Sequence, residues 1–564
     1  MRKGVWMQFR RRYILGLFLI LTTSCFAEVS PADQQRAIQQ QDRTVLEEQR
    51  RLDEQRQQQL RRSQETPKEI RILPHQESRV IEGPLSTFQI NQVHISGNTR
   101  FHPSIIERLT RNYEDKQLTQ NDITAFLRDL TNLYLENGYI TSRATLPTQN
   151  LRSGTLAIHI QEGTITALQF SDSPTKNQQK LWAAFSTGMG QVLNVFDLDQ
   201  GLENLHRIQG IQCTFQLVPD LHVIGGTRVV IEKVGESSGI RPRAVYDNTE
   251  SISWFPRQFI LSKDDLFQLN DTWQTSLSQV TGKKDAQQKS LSINGSLPMG
   301  HNTLSLALSD IQYSSVIAGE TLNFLSSGQT QTVTLQWDHI FYRDQRTKWS
   351  LHTELDLKDT TSYIDAIKSE VGSRKLRIVG IGLSADLGAF TFSTTYFKGL
   401  KSLDAKKDLP DIQVGEPRAQ FEKWVADTSL FCPFSIESLA MSYRLTGHGQ
   451  WSGHTLYGSE RTSVGDEYTV RGFRGEAQDG DRGGYIRQDV SVGLLGVQWL
   501  AGVDVGRVSF ADDDRDITLV GSAVGVSGVI GTASWDLTLG IPIHATDHLQ
   551  NSGAEWYLRT SIGL

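Results

Sequence analysis

Trp349-Ser-Leu-His-Thr-Glu-Leu-Asp-Leu357 decides how this chain is read. In an extended strand successive side chains point to opposite faces. Trp349, Leu351, Leu355 and Leu357 then share one face, and Ser350, His352, Glu354 and Asp356 the other. An apolar face backed by a hydroxyl, an imidazole and two acids suits a wall with hydrocarbon outside and water inside. Thr332 to Trp337 repeats the pattern with Val333, Leu335 and Trp337. Trp556 to Leu564 repeats it again, with Trp556, Leu558, Ile562 and Leu564 outward and Arg559 inward. A soluble sandwich alternates too, but it rarely sets so many charges directly behind an apolar face. At roughly 20 residues per strand and connection, the region from about Ile240 holds about 16 strands, an even number as bacterial single-chain barrels need. The expectation is a transmembrane β-barrel of about 16 antiparallel strands over 237–564.

Composition is consistent with that. Hydrophobic residues make up 38% of the 564, while Gly (47), Trp (11), Tyr (14) and Phe (23) are plentiful. No internal stretch approaches the roughly 20 apolar residues of a membrane-spanning helix, which leaves a soluble protein or a β-barrel. A net charge of −6 makes no case for a nucleic-acid partner. Cys25, Cys213 and Cys432 are too few for a disulfide framework. Cys213 and Cys432 fall in different predicted domains and are expected unpaired.

Residues 1–27 read as a secretory leader: Arg10-Arg-Arg12, an apolar run from Tyr13 to Leu21, and a small residue at Ala27. Cleavage after Ala27 is expected. A lipoprotein with Cys25 as the modified residue is the alternative, against which Thr22-Thr-Ser-Cys25 lacks the usual leucine three residues earlier. Ser30-Pro31-Ala32-Asp33 then starts a helix with a hydroxyl cap, Pro at its first position and an acid in its first turn. Residues 28–62 form one polar helix, with Ile38, Val45 and Leu52 at heptad spacing. A helix polar all round needs water or polar walls on every side. At 1.5 Å per residue it is roughly 45 to 50 Å long, enough to thread a barrel lumen as a plug. Residues 63–86, with Pro67, Pro74 and Pro84, read as a linker able to span up to roughly 80 Å.

Two similar modules follow, over 87–163 and 164–236. The first is a strand at Phe88–Ile95, a helix opened by Pro103, a helix opened by Thr119 and Asp122, and strands near Tyr139–Leu146 and Thr155–Gln161. Thr119-x-x-Asp122 is a capping-box pair with Asp in place of Glu. Leu156, Ile158 and Ile160 lie on one side of the last strand. The second module repeats this order more weakly. The two resemble polypeptide-transport-associated domains, the periplasmic modules of the Omp85 superfamily.

Late in the strand-rich region stands Gly465-Asp-Glu-Tyr-Thr-Val-Arg-Gly-Phe-Arg-Gly475, with Arg471, a cation that cannot lose its charge, between Val470 and Gly472-Phe473. Taken with the leader, polar helix, linker, two modules and barrel, Val470-Arg-Gly-Phe473 makes the chain resemble the two-partner secretion transporters of the outer membrane, the haemolysin and adhesin secretion family of the Omp85 superfamily. That resemblance implies a sixth extracellular loop folded into the barrel, its arginine on an acid of a neighbouring strand. The matching stretch is Gly502-Val-Asp-Val-Gly506, so Asp504 is the implied partner of Arg471, and Gly502 and Gly506 let the loop approach the wall. A bidentate arginine–carboxylate pair is both strong and directional. Asp489, in Gly483-Gly-Tyr-Ile-Arg-Gln-Asp489, stands where Glu is expected and receives no role.

The resemblance further implies export of a cognate exoprotein through a monomeric barrel in the outer membrane of a Gram-negative bacterium. The partner carries an N-terminal secretion domain and is a haemolysin, an adhesin or a contact-dependent inhibition toxin. The barrel meets outer-membrane lipid and lipopolysaccharide, and the modules are periplasmic. Candidate substrate-binding surfaces are the helix starting at Thr119 and Asp122 and the strand holding Leu156, Ile158 and Ile160. No cofactor, metal or catalytic residue is expected. Gly235-Glu-Ser-Ser-Gly239 matches Gly-x-Ser-x-Gly, but that motif needs a strand–turn–helix setting and here joins a module to the barrel. The alternative function is an Omp85-type factor that inserts other barrels.

Overall fold

The computed structural model describes residues 30–62, 86–172, 176–236, 239–248, 257–281, 286–319, 323–513, 515–546 and 553–564. The leader 1–27, with Cys25, and nearly all of the linker lie outside the described residues.

Among the described residues, sixteen antiparallel strands close into one barrel. The first, Arg241–Asp247, pairs with the second, Gln258–Asp264, and with the sixteenth, Glu555–Gly563. Closure pairs every strand on both sides, so backbone polar groups can sit at hydrocarbon depth. Alternation decides the faces. Phe259, Leu261, Leu277 and Leu335 are exposed on the outside, whereas Ser276, Ser278, Ser290 and Ser292 are buried on the inside. In Trp349–Leu357, Asp356 points inward and accepts from Thr334 Oγ1. Strand length is uneven around the ring. The first two strands have 7 residues each, and the fifth to eighth have 17 (Asn302–Ala318), 21 (Asn323–Arg343), 17 (Lys348–Ile364) and 20 (Ile367–Asp386). The second module ends at Val234, just before the first strand, so the connection between the eleventh and twelfth strands lies on the opposite, extracellular face.

In the first module the expected strand Phe88–Ile95 is broken at Asn91, where the amides of Asn91 and Gln92 both donate to Gly154 O at 2.7 and 3.2 Å. Thr87–Ile90 pairs with Lys116–Thr119, a strand the sequence reading did not foresee, and Gln92–Ser96 joins the main sheet. Thr119 caps the helix Gln120–Glu136 in a reciprocal box with Asp122. The second module has strands Thr164–Phe170, Gln212–Pro219 and Gly226–Val234 with helices Gln178–Ala184 and Val195–His206. In both modules the last strand is central, parallel to the first and antiparallel to its hairpin partner. Cys213 and Cys432 are both free thiols.

The second module is clamped to the periplasmic turns. Arg343 donates to Gln200 Oε1 (2.6 Å) and Glu203 Oε1 (2.7 Å), and Lys348 to Glu203 Oε2 (3.2 Å). Burial alone would raise the pKa of Glu203, but Lys348 and Arg343 outweigh it and hold the carboxyl below its ordinary value. Asn204 donates to Gly300 O at 2.8 Å, and Gly300 N to Ala183 O at 2.9 Å.

The N-terminal helix, Pro31–Arg62, runs inside the barrel with Ser30 Oγ accepting from Asp33 N at 3.1 Å. Ala37 packs among Ile317, Phe324 and Ile364, and Val45 against Ile311 and Tyr313. Leu52 is buried and Ile38 partly so. Polar contacts do most of the holding. Glu48 accepts from Ser290 Oγ (2.6 Å) and Gln288 Nε2 (2.8 Å), Arg51 donates to Ser278 Oγ (2.7 Å), and Gln55 and Gln258 exchange amide bonds at 2.9 and 3.0 Å. Asp42 pairs with Arg374 of the eighth strand.

Candidate functional site

The connection between the eleventh strand, Leu439–Ser452, and the twelfth, Arg482–Leu494, folds back into the lumen. Its base is fixed by charge. Glu460, buried in a short 3-10 turn, accepts from Lys358 Nζ at 2.7 Å and Lys423 Nζ at 3.0 Å. Asp481 accepts from Leu456 N at 2.8 Å and Arg461 Nε at 3.1 Å. A small hairpin, Thr462–Val464 with Gln478–Gly480, leads to the tip.

At the tip, Asp466 Oδ1 accepts from the amides of Tyr468 and Thr469, both at 2.8 Å, and from Thr469 Oγ1 at 2.9 Å. This side-chain-capped turn delivers Val470-Arg-Gly-Phe473 to the wall. Arg471 is 2% exposed and Asp504, on the thirteenth strand Val497–Ser509, is fully buried. Arg471 Nε donates to Asp504 Oδ2 at 2.7 Å and Nη2 to Oδ1 at 2.7 Å, the two-pronged geometry that suits guanidinium and carboxylate. The amide of Arg471 adds a third bond to Asp504 Oδ2 at 3.0 Å. Nη2 also donates to Asp489 Oδ1 at 2.6 Å. Arg487 faces the same acids, its Nε 3.6 Å from Asp489 and 4.0 Å from Asp504, while its Nη1 donates to Glu467 O at 2.7 Å.

The wall beneath is a groove of missing side chains. A Cβ on Gly502 would meet the Arg471 guanidinium, one on Gly506 the Val470 side chain, one on Gly521 the Arg471 carbonyl, and one on Gly540 the Gly472 amide. These glycines lie on three adjacent strands, with Asp504 opposite Gly521 and Gly521 opposite Pro542 at a register shift. Gly472 itself has φ +100° and sits against the backbone of Ile541 and Pro542, where another residue would be strained and obstructed. Its amide donates to Tyr557 Oη at 3.1 Å. Val470 and Phe473 are fully buried among Val464, Val508, Leu519 and Ala545.

Helix and loop touch. Arg50 Nη1 donates to Asp466 Oδ2 at 2.7 Å, and Arg374 reaches both Asp42 of the helix and Ser459 Oγ of the loop. On the periplasmic side of the loop a cavity of about 700 Å³ opens, lined by Gly493, Gln498, Ser527, Ser534, Asp536 and Arg559 among others. Among the described residues no cluster of His, Cys, Asp or Glu is placed to hold a metal ion.

The structure thus brings Val470, Arg471, Gly472 and Phe473 together with Gly502, Asp504 and Gly506, and it places Ile38, Val45 and Leu52 on the lumen helix, with Val45 turned to Ile311 and Tyr313 of the fifth strand. It does not bring the module residues into a strand-accepting edge. Leu156, Ile158 and Ile160 are core residues of a central strand, flanked by Gln92–Ser96 on one side and on the other by Arg143–Thr145 and the Gln149 side chain, which bonds Ala157 N and O at 2.7 Å each. The sequence left open which edge of this strand is exposed; both are paired, because sheet order is set by long-range pairing. Thr119 and Asp122 spend their polar groups on each other: the Thr119 amide and hydroxyl both donate to Asp122 Oδ2 at 2.7 Å and hold its carboxyl below the ordinary value. Gly521, Gly540 and Tyr557 escaped the sequence reading, and Asp466 and Asp489 stood in quoted stretches without a role. Asp489 had a visible signal, an acid two residues after Arg487 on an inward-facing register.

Comparison with known proteins gives three results. The profile of the family described as haemolysin secretion/activation protein ShlB/FhaC/HecB matches residues 225–528, and POTRA-domain profiles match 88–163 (ShlB-type) and 164–219. The outer membrane transporter CdiB of Dickeya dadantii strain 3937 is 28% identical, with 94% of each chain covered, and the hemolysin transporter protein ShlB of Serratia marcescens is 26% identical, with 88% and 89% covered. The solved structure of CdiB from Escherichia coli superposes with a TM-score of 0.77 at 28% identity, covering 95% of this chain and 99% of that one.

Proposed function

Because the chain belongs to the haemolysin secretion/activation family ShlB/FhaC/HecB, we propose that it exports one cognate exoprotein, unfolded and without ATP, through its own barrel. It is an outer-membrane transporter of the two-partner secretion type, with its POTRA domains in the periplasm. The observation that carries the finer reading is the fully buried Arg471–Asp504 pair seated in a glycine groove within a closed barrel. A charge pair of this kind contributes little chemistry. It fixes a loop in one place, and that loop shares the lumen with a polar helix. Arg471 is the latch of the loop, and the helix with Ile38, Val45 and Leu52 is the removable plug, held by side-chain hydrogen bonds that water can replace.

Capture falls to the modules. Among the described residues, Gln212–Pro219 is an edge strand of the second module, paired on one side only. An extended segment of the exoprotein adds to such an edge through backbone bonds that ask little of its sequence. Folding of the exoprotein outside the cell then draws the chain through, and a single copy of the transporter suffices.

The test is secretion of the cognate exoprotein, which is sought as a large secreted protein encoded beside this gene. Arg471→Ala and Asp504→Ala, each with normal barrel levels, should lower extracellular exoprotein by tenfold or more. Wild-type secretion by both variants would refute the latch, and absence of export by the unaltered chain would refute the transport reading.

A further inference from the structure

The outer face of the barrel records where hydrocarbon ends. Along the second strand Phe259, Leu261 and Lys263 share the outward side, and Lys263 stands opposite Trp273 of the third strand. An apolar run that ends in a lysine beside a tryptophan marks a membrane–water boundary. Indole rings prefer headgroup depth, and a lysine stem reaches from the apolar zone to the polar one.

Just past this boundary, the turn 265–271 wraps around one carboxylate. Asp271 accepts from Leu266 N at 3.1 Å, Phe267 N at 3.0 Å and Trp273 Nε1 at 2.7 Å. The wrapped turn displays its apolar side chains: Leu266 is 53% and Phe267 61% exposed. The Phe267 ring meets Trp273 edge-on with centroids 5.8 Å apart, which continues the lipid-facing surface of the barrel onto the turn.

The same turn holds the second module. Asp265 pairs with Lys180, Asn270 Nδ2 donates to Lys180 O at 2.8 Å, and Gln179 Nε2 donates to Gln268 Oε1 at 3.1 Å. Residues three apart are neighbours on a helix surface. Trp182, three residues on from Gln179 in helix Gln178–Ala184, is 69% exposed. The helix that grips this turn through Gln179 and Lys180 thus exposes a tryptophan while the turn exposes a leucine and a phenylalanine, an apolar display that suits a covered surface.

We propose that Trp182, Leu266 and Phe267 form one interfacial surface seated on the phospholipid headgroups of the periplasmic leaflet, which moors the second module to the membrane as well as to the barrel. The indole and phenyl rings bury apolar area at the acyl–headgroup boundary, and Lys263 supplies a cation at phosphate depth. The barrel's placement in the outer membrane is the premise, and nothing here depends on which exoprotein is exported.

The test uses the full-length chain in phosphatidylethanolamine–phosphatidylglycerol vesicles, with Cys213→Ala and Cys432→Ser as background. A spin label at Trp182→Cys or Leu266→Cys should show oxygen-over-nickel accessibility at least about threefold above one at Leu221→Cys. Leu221 is 95% exposed on the same module and serves as the aqueous reference. In unlabelled protein, Trp182→Ser with Phe267→Ser should speed amide exchange of Gln178–Ala184 in vesicles by about threefold or more. Water-like accessibility at both 182 and 266, or unchanged exchange in the double variant, would overturn the mooring. Insertion of the labelled barrel is checked separately by its heat-modifiable migration, so a failure of the premise is told apart from a failure of the inference.

Discussion

Arg50 of the lumen helix donates to Oδ2 of Asp466 at 2.7 Å, while Oδ1 of the same carboxylate caps the turn that precedes Arg471. One side chain therefore serves both lumen occupants. Asp466→Asn keeps a cap oxygen and loses the charge, so it should loosen the helix and spare the loop. A partly exposed pair of this kind is worth about 1 kcal/mol, and 1.4 kcal/mol is a tenfold population change. In planar bilayers, open-state occupancy should rise by about threefold to tenfold for Asp466→Asn. Deletion of residues 30–62 should raise conductance more than it lowers secretion. Unchanged conductance in the deletion would contradict the plug.

Asp504→Ala should damage the loop more than Arg471→Ala. Removing Asp504 strips three bonds at once, and Arg471 is left with Asp489 alone at 2.6 Å. Removing the Arg471 side chain leaves Asp504 with the loop amide and with Arg487 nearby. Breaking a buried pair by deleting one partner costs roughly 3 to 5 kcal/mol, which is enough to unseat a loop. Protease nicking within Gly465–Gly475, followed on folded barrels, should be fastest for Asp504→Ala and intermediate for Arg471→Ala. The reverse order would mean that Asp489 is the principal anchor.

The glycine groove makes a steric prediction. Gly521→Val and Gly540→Val place side-chain carbons where the Arg471 carbonyl and the Gly472 amide now lie. Both positions face the lumen in paired strands that favour β-branched residues, so the barrel should assemble. The loop should not seat, and the nicking phenotype of Asp504→Ala should be reproduced with every charge still present. A protected loop in either variant would count against close approach as the reason for glycine there.

Docking of the second module carries a pH signature. Glu203 has a folded-state pKa below its unfolded value, because Lys348 and Arg343 overcome the opposing effect of burial. Its contribution is therefore present above the unfolded carboxylate pKa, about 4.3, and is lost as pH falls through the lower folded value. Distance measurements between a label on helix Val195–His206 and one on the barrel should stay constant from pH 7 to about 5 and broaden below about 4. Glu203→Gln should be broadened already at pH 7 and should lose that acid transition.

What the sequence made legible was set by the range of the physics. Alternation is local, so Trp349–Leu357 announced a wall with two faces, and the length of the strand-rich region led to the sixteen strands that close the barrel. The Thr119–Asp122 box is also local, and it caps the helix as its spacing implies. Asp504 could be named only because its motif accompanies Val470-Arg-Gly-Phe473 in a family. Gly521, Gly540 and Tyr557 could not, because what they touch depends on the register of the thirteenth to sixteenth strands, including the shift at Gly521. The same gap left open which edge of the strand holding Leu156, Ile158 and Ile160 is exposed. Their alternation was legible, but whether the strand lay at the edge or the centre of its sheet is a matter of which segments, far apart in sequence, pair with it.

Among the described residues, unequal strand lengths raise one flank of the pore above the other. The sixth strand has 21 residues and the first two have 7. At about 3.3 Å per residue and a tilt near 40°, that difference amounts to roughly 35 Å of height, more than the ~25 Å apolar band of an outer-membrane barrel. The periplasmic turns are short and the surplus stands outside the cell, as a curved parapet made of the fifth to eighth strands. Anything that leaves the pore along that flank meets a wall of paired strands in place of open solvent.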